Sequence, residues 1–296
     1  MFSMISYRLF LIFDALLMSF PHSWRKNLFI SLAKIARFFA PSRNRVIRQN
    51  LDFAFSKGLG SEEYAYIESY CYRNLALNLL QVMENRHYVH DDFTRRVVFE
   101  NREAVDELLS QGKGIVFVSA HFGNWEMGAT ALSALVTPTT SIYQEFKHSE
   151  FDPYLLESRT RHGMDLAEKN GALKHLARAL KKGASVSLMI DQASNRTHGV
   201  SITFFGHPTY QSSTPAILSR KYNAPIVPLY IFSEDEEHFT IRFDDPIIVT
   251  GEEEEAIKIA TQLQADSLEK AIRSRPELWF WCHKRWKSEY RGIYAG

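Results

Sequence analysis

Hydrophobic positions change period once along this chain, near residue 112. Met1 to Phe20, MFSMISYRLFLIFDALLMSF, is apolar almost throughout and is broken only by Arg8 and Asp14. It approaches the roughly 20 residues that cross a bilayer, but two charges near its centre are costly there, so an interfacial helix is the favoured reading. A buried first helix of a soluble protein is the other. No basic start leads into an uninterrupted apolar run with a small-x-small cleavage site, so a removed signal peptide is not expected. Helical spacing continues over 24–40 after Pro21, 43–56 after Pro41 and 61–85 from Ser61, and the patterns stay helical to about residue 111.

From Gly114, short β-rich runs alternate with helical ones. Strands are expected at 114–120 (GIVFVSA), 140–144 (TSIYQ), 185–190 (SVSLMI), 202–206 (ITFFG) and 225–232 (PIVPLYIF), with helices at 124–135, 150–162, 170–182 and 214–222. Continuous apolar strands separated by helices predict an α/β fold with a mostly parallel central sheet covered on both faces, preceded by an N-terminal helical membrane-anchoring region. The run 239–249 (FTIRFDDPIIV) alternates and holds Pro246, which predicts an edge strand. A last helix over 252–274 ends before Pro276. The organisation expected is a membrane-associated helix at 1–22, a helical region at 23–111 packed on the core, and an α/β core at 112–296.

Charge changes this picture more than composition does. The net charge of +1 conceals a leader of 50 residues with eight Lys/Arg against Asp14 alone, while the other 246 residues hold 27 Lys/Arg against 33 Asp/Glu. A basic apolar leader on an acidic body suits an anionic membrane surface better than nucleic acid. Cys71 and Cys282 lack metal-site or framework spacing, so a reducing compartment is the default.

Candidate chemistry gathers where a strand hands over to a helix, the usual place for sites in such sheets. In Gly114-Ile-Val-Phe-Val-Ser-Ala-His121-Phe-Gly-Asn-Trp-Glu126, an apolar strand delivers His121 to its carboxyl end. Gly123 permits a tight turn and Asn124 can cap the helix that carries Glu126. A neutral imidazole has the pKa to take a proton from a hydroxyl attacking a thioester, and a carboxylate on its other nitrogen would set the tautomer; Glu126 is expected in that role. No G-x-S-x-G nucleophile elbow is present, so the substrate hydroxyl stands in for a serine. One other His-x4-acid pair exists, His87/Asp92, in a polar stretch with no strand before it. A surface role fits that pair, with metal binding by His87, His90 and Asp91 a remote option.

The segment His121-Phe-Gly-Asn-Trp-Glu126 resembles the H-x4-[DE] block of glycerolipid acyltransferases, and its wording is similar to the lipid A lauroyl and myristoyl acyltransferases in particular. Arg159-Thr-Arg-His-Gly163, Asp191-Gln192, Phe204-Phe-Gly-His-Pro208, Ala224-Pro-Ile-Val-Pro228 and Trp281-Cys-His-Lys-Arg-Trp-Lys287 resemble further blocks of that family, in its order. Where the glycerolipid branch carries an E-G-T-R-type phosphate block, this chain has Asp191-Gln192-Ala-Ser-Asn195, which favours the lipid A branch.

The resemblance implies an acyl-carrier-protein thioester as donor and a 3-hydroxyacyl chain of a lipid A precursor as acceptor, at the cytoplasmic face of the inner membrane. It requires no cofactor or metal. His121 and Glu126 would be catalytic, and Asn124, Arg159, Arg161, Asp191 and Gln192 would bind substrate, the arginines as phosphate clamps. Read without the family, those arginines are more often a solvated helix face, and for Asp191-Gln192 a turn cap is just as natural as a substrate contact. The Trp279–Trp286 cluster is a packed helix with a basic outer side, or else an interfacial belt or carrier-protein contact. Another glycolipid or aminolipid acceptor, such as a phosphatidylinositol mannoside, and a non-catalytic peripheral membrane binding protein remain open alternatives.

Overall fold

The computed structural model describes residues 2–144 and 151–295. Met1 and residue 150, the ends of two expected helical runs, lie outside them.

Four helices come first: α1 (Phe2–Met18), α2 (His22–Phe38), α3 (Pro41–Ala54) and the long α4 (Ser61–Asn85). A short helix α5 (His90–Arg96) leads directly into strand β1 (Val97–Glu100), followed by α6 (Glu103–Ser110). The alternating part then runs β2 (Val116–Ser119), α7 (Trp125–Leu135), β3 (Thr139–Tyr143), α8 (Asp152–Thr160), β4 (Asp165–Glu168), α9 (Ala172–Lys181) and β5 (Ser185–Met189). A hairpin of β6 (Gly199–Phe204) and β7 (His207–Ser212), then α10 (Thr214–Tyr222), β8 (Ile226–Phe232), β9 (Phe239–Phe243) and α11 (Glu253–Ser274) complete the order before two 3₁₀ turns.

The seven-stranded sheet has the order β1-β9-β8-β2-β5-β3-β4 and is parallel at every pairing except β8–β9. As the apolar runs require, both faces are covered. Val116, Val118 and Ala120 face one core with α4, α10 and α11, while Ile115 and Phe117 face a second core with α5, α6 and α7. The α/β class, the mostly parallel sheet and the flanking helices therefore stand as expected.

Four local expectations are corrected. Residues 97–100, inside the stretch that patterns as helical, form β1, whose four residues are too few to register a period of two. β4 is likewise a four-residue strand between two expected helices. β9 is no edge strand: β1 adds in parallel on its outer side and takes that place, so the alternation in β9 reflects one strongly buried face and not an open edge. The closing segment from Trp279 to Trp286 is a series of turns, its tryptophans buried at 1% exposure or less, and not a helix.

In the leader, Asp14 is buried. Its carboxylate meets Arg86 Nη1 at 3.3 Å and His87 Nε2 at 3.0 Å, and accepts from the Tyr154 hydroxyl at 2.9 Å. The charge that interrupts the apolar run thus points at α4 and α8, and the opposite side of the helix carries exposed Leu9, Ile12, Phe13 and Leu16. Among the described residues no helix is long and apolar enough to cross a membrane.

Candidate active site

His121 stands two residues beyond the end of β2, and Asp191 stands two beyond the end of β5. The two strands are parallel neighbours with Val116 opposite Val186 and Ser119 opposite Met189, and the same offset carried onward sets residue 121 beside residue 191. Register alone therefore brings an imidazole and a carboxylate together at the carboxyl edge of the sheet. His121 Nδ1 lies 3.0 Å from Asp191 Oδ1, and the His121 backbone N–H donates to Asp191 Oδ2 at 3.1 Å. The Trp279 indole N–H donates to the same Oδ2 at 3.1 Å.

A carboxylate that is ionised can only accept, so Nδ1 must carry a proton, and in the neutral imidazole Nε2 then holds the lone pair. Burial opposes the charge on Asp191, but the imidazole beside it and the three donors prevail and hold its pKa down at about 2. Burial likewise works to lower the pKa of His121, yet the Asp191 charge and hydrogen bond, with the Glu126 charge behind them, raise it above the usual 6.5. The His121 side chain is 24% exposed, against 5% for Asp191, so the pair opens outward through the imidazole.

Glu126, expected on the imidazole, is not the residue bonded to Nδ1. Its oxygens are taken by Arg159, with Nε to Oε2 at 3.0 Å and Nη2 to Oε1 at 2.6 Å, a bidentate pair that spans α7 and α8. The reason is local. Gly123 sits at φ +57° with Ile231 O only 2.2 Å from where a Cβ would be, so the backbone turns hard against β8 before α7 begins. Glu126 leaves from the first turn of α7, where an acid also suits the helix dipole, and faces α8.

The loop between His121 and Glu126 is held from two sides. On one, residues 278–280 run beside it: Phe280 N–H donates to His121 O and Gly123 N–H donates to Leu278 O, both at 2.9 Å, with a bridge from Phe122 to Trp279. On the other, α4 presents a buried row of amides. Asn74 donates to Leu278 O at 3.1 Å, Asn78 donates to Gly123 O at 3.0 Å and accepts from Glu126 N–H at 3.1 Å, and Gln81 accepts from the Asn124 amide at 3.3 Å. Asn85 continues the row to Thr130. These positions escaped the sequence reading, although 74, 78, 81 and 85 share one helix face and a row of amides in an apolar helix was the available signal.

Of the other expected binders, Asn124 caps α7 by accepting from Met127 N–H at 3.1 Å. Arg161 and Gln192 are exposed. Arg159 is present at the site with one edge of its guanidinium committed to Glu126. His87 faces Asp14, and among the described residues no group of three or more His, Cys, Asp or Glu is placed to hold a metal ion. Trp125 and Phe280 flank the imidazole, with ring centroids at 5.2 and 6.2 Å, and give it an apolar surround.

This geometry, an imidazole hydrogen-bonded to an ionised carboxylate at a sheet edge, coincides with a match over residues 1–288 to the family described as bacterial lipid A biosynthesis acyltransferase. The chain belongs to this family. Relatives include lipid A biosynthesis acyltransferase 2 of Shigella flexneri, 22% identical over 276 residues that cover 91% of this chain and 85% of the relative. The lipid A biosynthesis lauroyltransferase of Escherichia coli K12 is 21% identical over 280 residues, 94% of this chain and 90% of the relative. A phosphatidylinositol mannoside acyltransferase of Mycobacterium tuberculosis H37Rv is 25% identical over 189 residues, 62% of this chain, and this chain spans only 58% of that relative's length. Membership makes this lipid A-family protein an acyltransferase of glycolipid biosynthesis.

Proposed function

We propose that the protein transfers a fatty acyl group from an acyl-carrier-protein thioester to a hydroxyl of a lipid A precursor, with His121 as general base. The observation that carries this is His121 Nδ1 held on ionised Asp191, which leaves Nε2 as the proton acceptor on the more exposed side of the pair. Nε2 takes the proton as the acceptor oxygen attacks the thioester carbonyl, and collapse of the adduct expels the thiolate, which recovers that proton. Asp191 fixes the tautomer and stabilises the imidazolium. Glu126 acts one step removed, by its charge on the imidazole and by its grip on Arg159, whose guanidinium stays at the site to meet anionic groups. Asn124 shapes the turn, and Arg161 and Gln192, which follow Arg159 and Asp191 in the chain, are assigned to acceptor binding.

The membrane supplies the acceptor. Leu9, Ile12, Phe13 and Leu16 on the first helix, Phe20 just beyond it, and Trp24, Leu28, Leu32, Ile35 and Phe38 at helical spacing on the second are all exposed, a concentration of large apolar side chains that suits a membrane interface. Exposed Arg8, Lys34, Arg43 and Arg48 add positive charge suited to anionic lipid, which supports an in-plane anchor at the cytoplasmic face of the inner membrane.

The test is to incubate purified protein with acyl-carrier-protein thioesters of several chain lengths and a lipid A precursor, and to follow the acceptor's mass. One acyl increment is expected. No increment on any lipid A precursor, with an increment on a mannoside lipid, would move the acceptor to the second reading, which the mycobacterial relative favours.

A further inference from the structure

Past Asp191 the chain runs Gln192-Ala-Ser-Asn195, and a cavity of about 520 Å³ adjoins its far end, lined by Asn195, Lys284, Lys287, Ser288, Arg291 and Tyr294. Three of these are cations, and no carboxylate side chain lines the cavity. Among the described residues none of the three cations is in an ion pair. A concave site that gathers unpaired cations, with an amide and hydroxyls between them, matches the several acceptor oxygens of a phosphate group and offers little to a fatty chain.

The walls are built. Lys284 Nζ sits 5.3 Å above the Tyr294 ring, whose hydroxyl donates to buried Asn50 at 2.6 Å, and this anchors both residues. Ser288 donates its hydroxyl to Ser194 O, and Ala193 N–H donates to His283 Nε2 at 3.1 Å, so the basic segment and the loop from Asp191 are tied together. Chain geometry keeps Asn195 within about 14 Å of Asp191, Cα to Cα. The cavity and the imidazole are therefore two ends of one short loop.

We propose that this cavity binds a phosphate group borne by one of the two substrates, either the phosphopantetheine arm of the acyl donor or a sugar phosphate of the acceptor glycolipid, and so sets how far that substrate reaches towards His121. The proposal rests on the acyl-transfer reading of His121, and its test is kept separate from turnover.

Isothermal titration of the purified protein is run in two arms, 4′-phosphopantetheine against pantetheine and glucosamine 1-phosphate against glucosamine. In one arm the phosphorylated compound binds about tenfold or more tightly than its partner, the scale of a charge-assisted hydrogen bond, and that arm names the substrate. The preference is lost in Lys287→Glu/Arg291→Glu, is largely kept in Lys287→Arg/Arg291→Lys, is untouched in His121→Ala, and weakens as salt is raised. No preference in either arm overturns the proposal, as does a preference that survives charge reversal or that salt leaves unchanged in the native protein. Should His121→Ala retain full transfer activity while the phosphate preference holds, the base assignment falls and the phosphate site stands.

Discussion

Two acids approach His121 by different routes, one along the sheet and one around a turn. Asp191 is carried there by strand register: every backbone hydrogen bond between β2 and β5 helps to set it opposite the imidazole, and Trp279 and the His121 amide both donate to its Oδ2. Glu126 arrives through Gly123 and the first turn of α7 and is held mainly by one side chain, Arg159 of α8. The sheet supplies a fixed orientation, whereas the helix pair supplies charge whose placement depends on a single partner. A proton acceptor needs the first for geometry and the second only for fine adjustment of its basicity.

The sharpest way to break this comparison is at the imidazole and its sheet-borne partner. His121→Ala and Asp191→Asn should each lower kcat by about 10²- to 10⁴-fold, the range seen when a general base or its orienting carboxylate is removed. Steady-state transfer assays check this, and near-wild-type turnover in Asp191→Asn would return the orienting role to Glu126.

To act as the proposed base, His121 must be unprotonated, and its pKa is raised, so kcat/KM should climb with pH through a midpoint above 6.5. Removing the Asp191 charge leaves only the Glu126 charge to oppose burial, so the residual activity of Asp191→Asn should show that midpoint at lower pH. The same pair acts on stability. Raised His121 contributes fully below 6.5 and loses its share as pH rises through its folded pKa; depressed Asp191 contributes above 3.8 and loses its share as pH falls towards about 2. The difference in Tm between native protein and Asp191→Asn is thus expected to be greatest between pH 3.8 and pH 6.5.

Glu126→Gln should cost about tenfold in kcat, one pKa unit's worth of interaction, and should move the acid limb downward by less than Asp191→Asn does. A loss equal to that of Asp191→Asn would remove the distinction between the two acids. The smallest effect on chemistry, with a measurable one on folding, belongs to Asn78→Ala. It strips Gly123 O and Glu126 N–H of their partner, and urea denaturation should report a loss of about 1–3 kcal/mol.

Much of the architecture is legible in residue order. The buried runs at 114–120, 185–190 and 225–232 read as strands because both faces of a covered parallel sheet are apolar, and α4, α7 and α11 are long enough to show their period. β1 and β4 are not legible, because four residues cannot announce a period, and β9 is misplaced because its neighbour β1 lies some 140 positions earlier in the chain.

At the site, residue order by itself indicated the imidazole at a strand end, the turn at Gly123 and the cap at Asn124, each announced by residue types within six positions of chain. Only the tertiary structure decided which acid the imidazole holds, why the amides of α4 are buried, and that Asp14 turns inward and not towards lipid. The physical reason is common to all three: each partner is brought up by strand register or helix packing from 45 to 140 residues away, distances that local spacing does not encode.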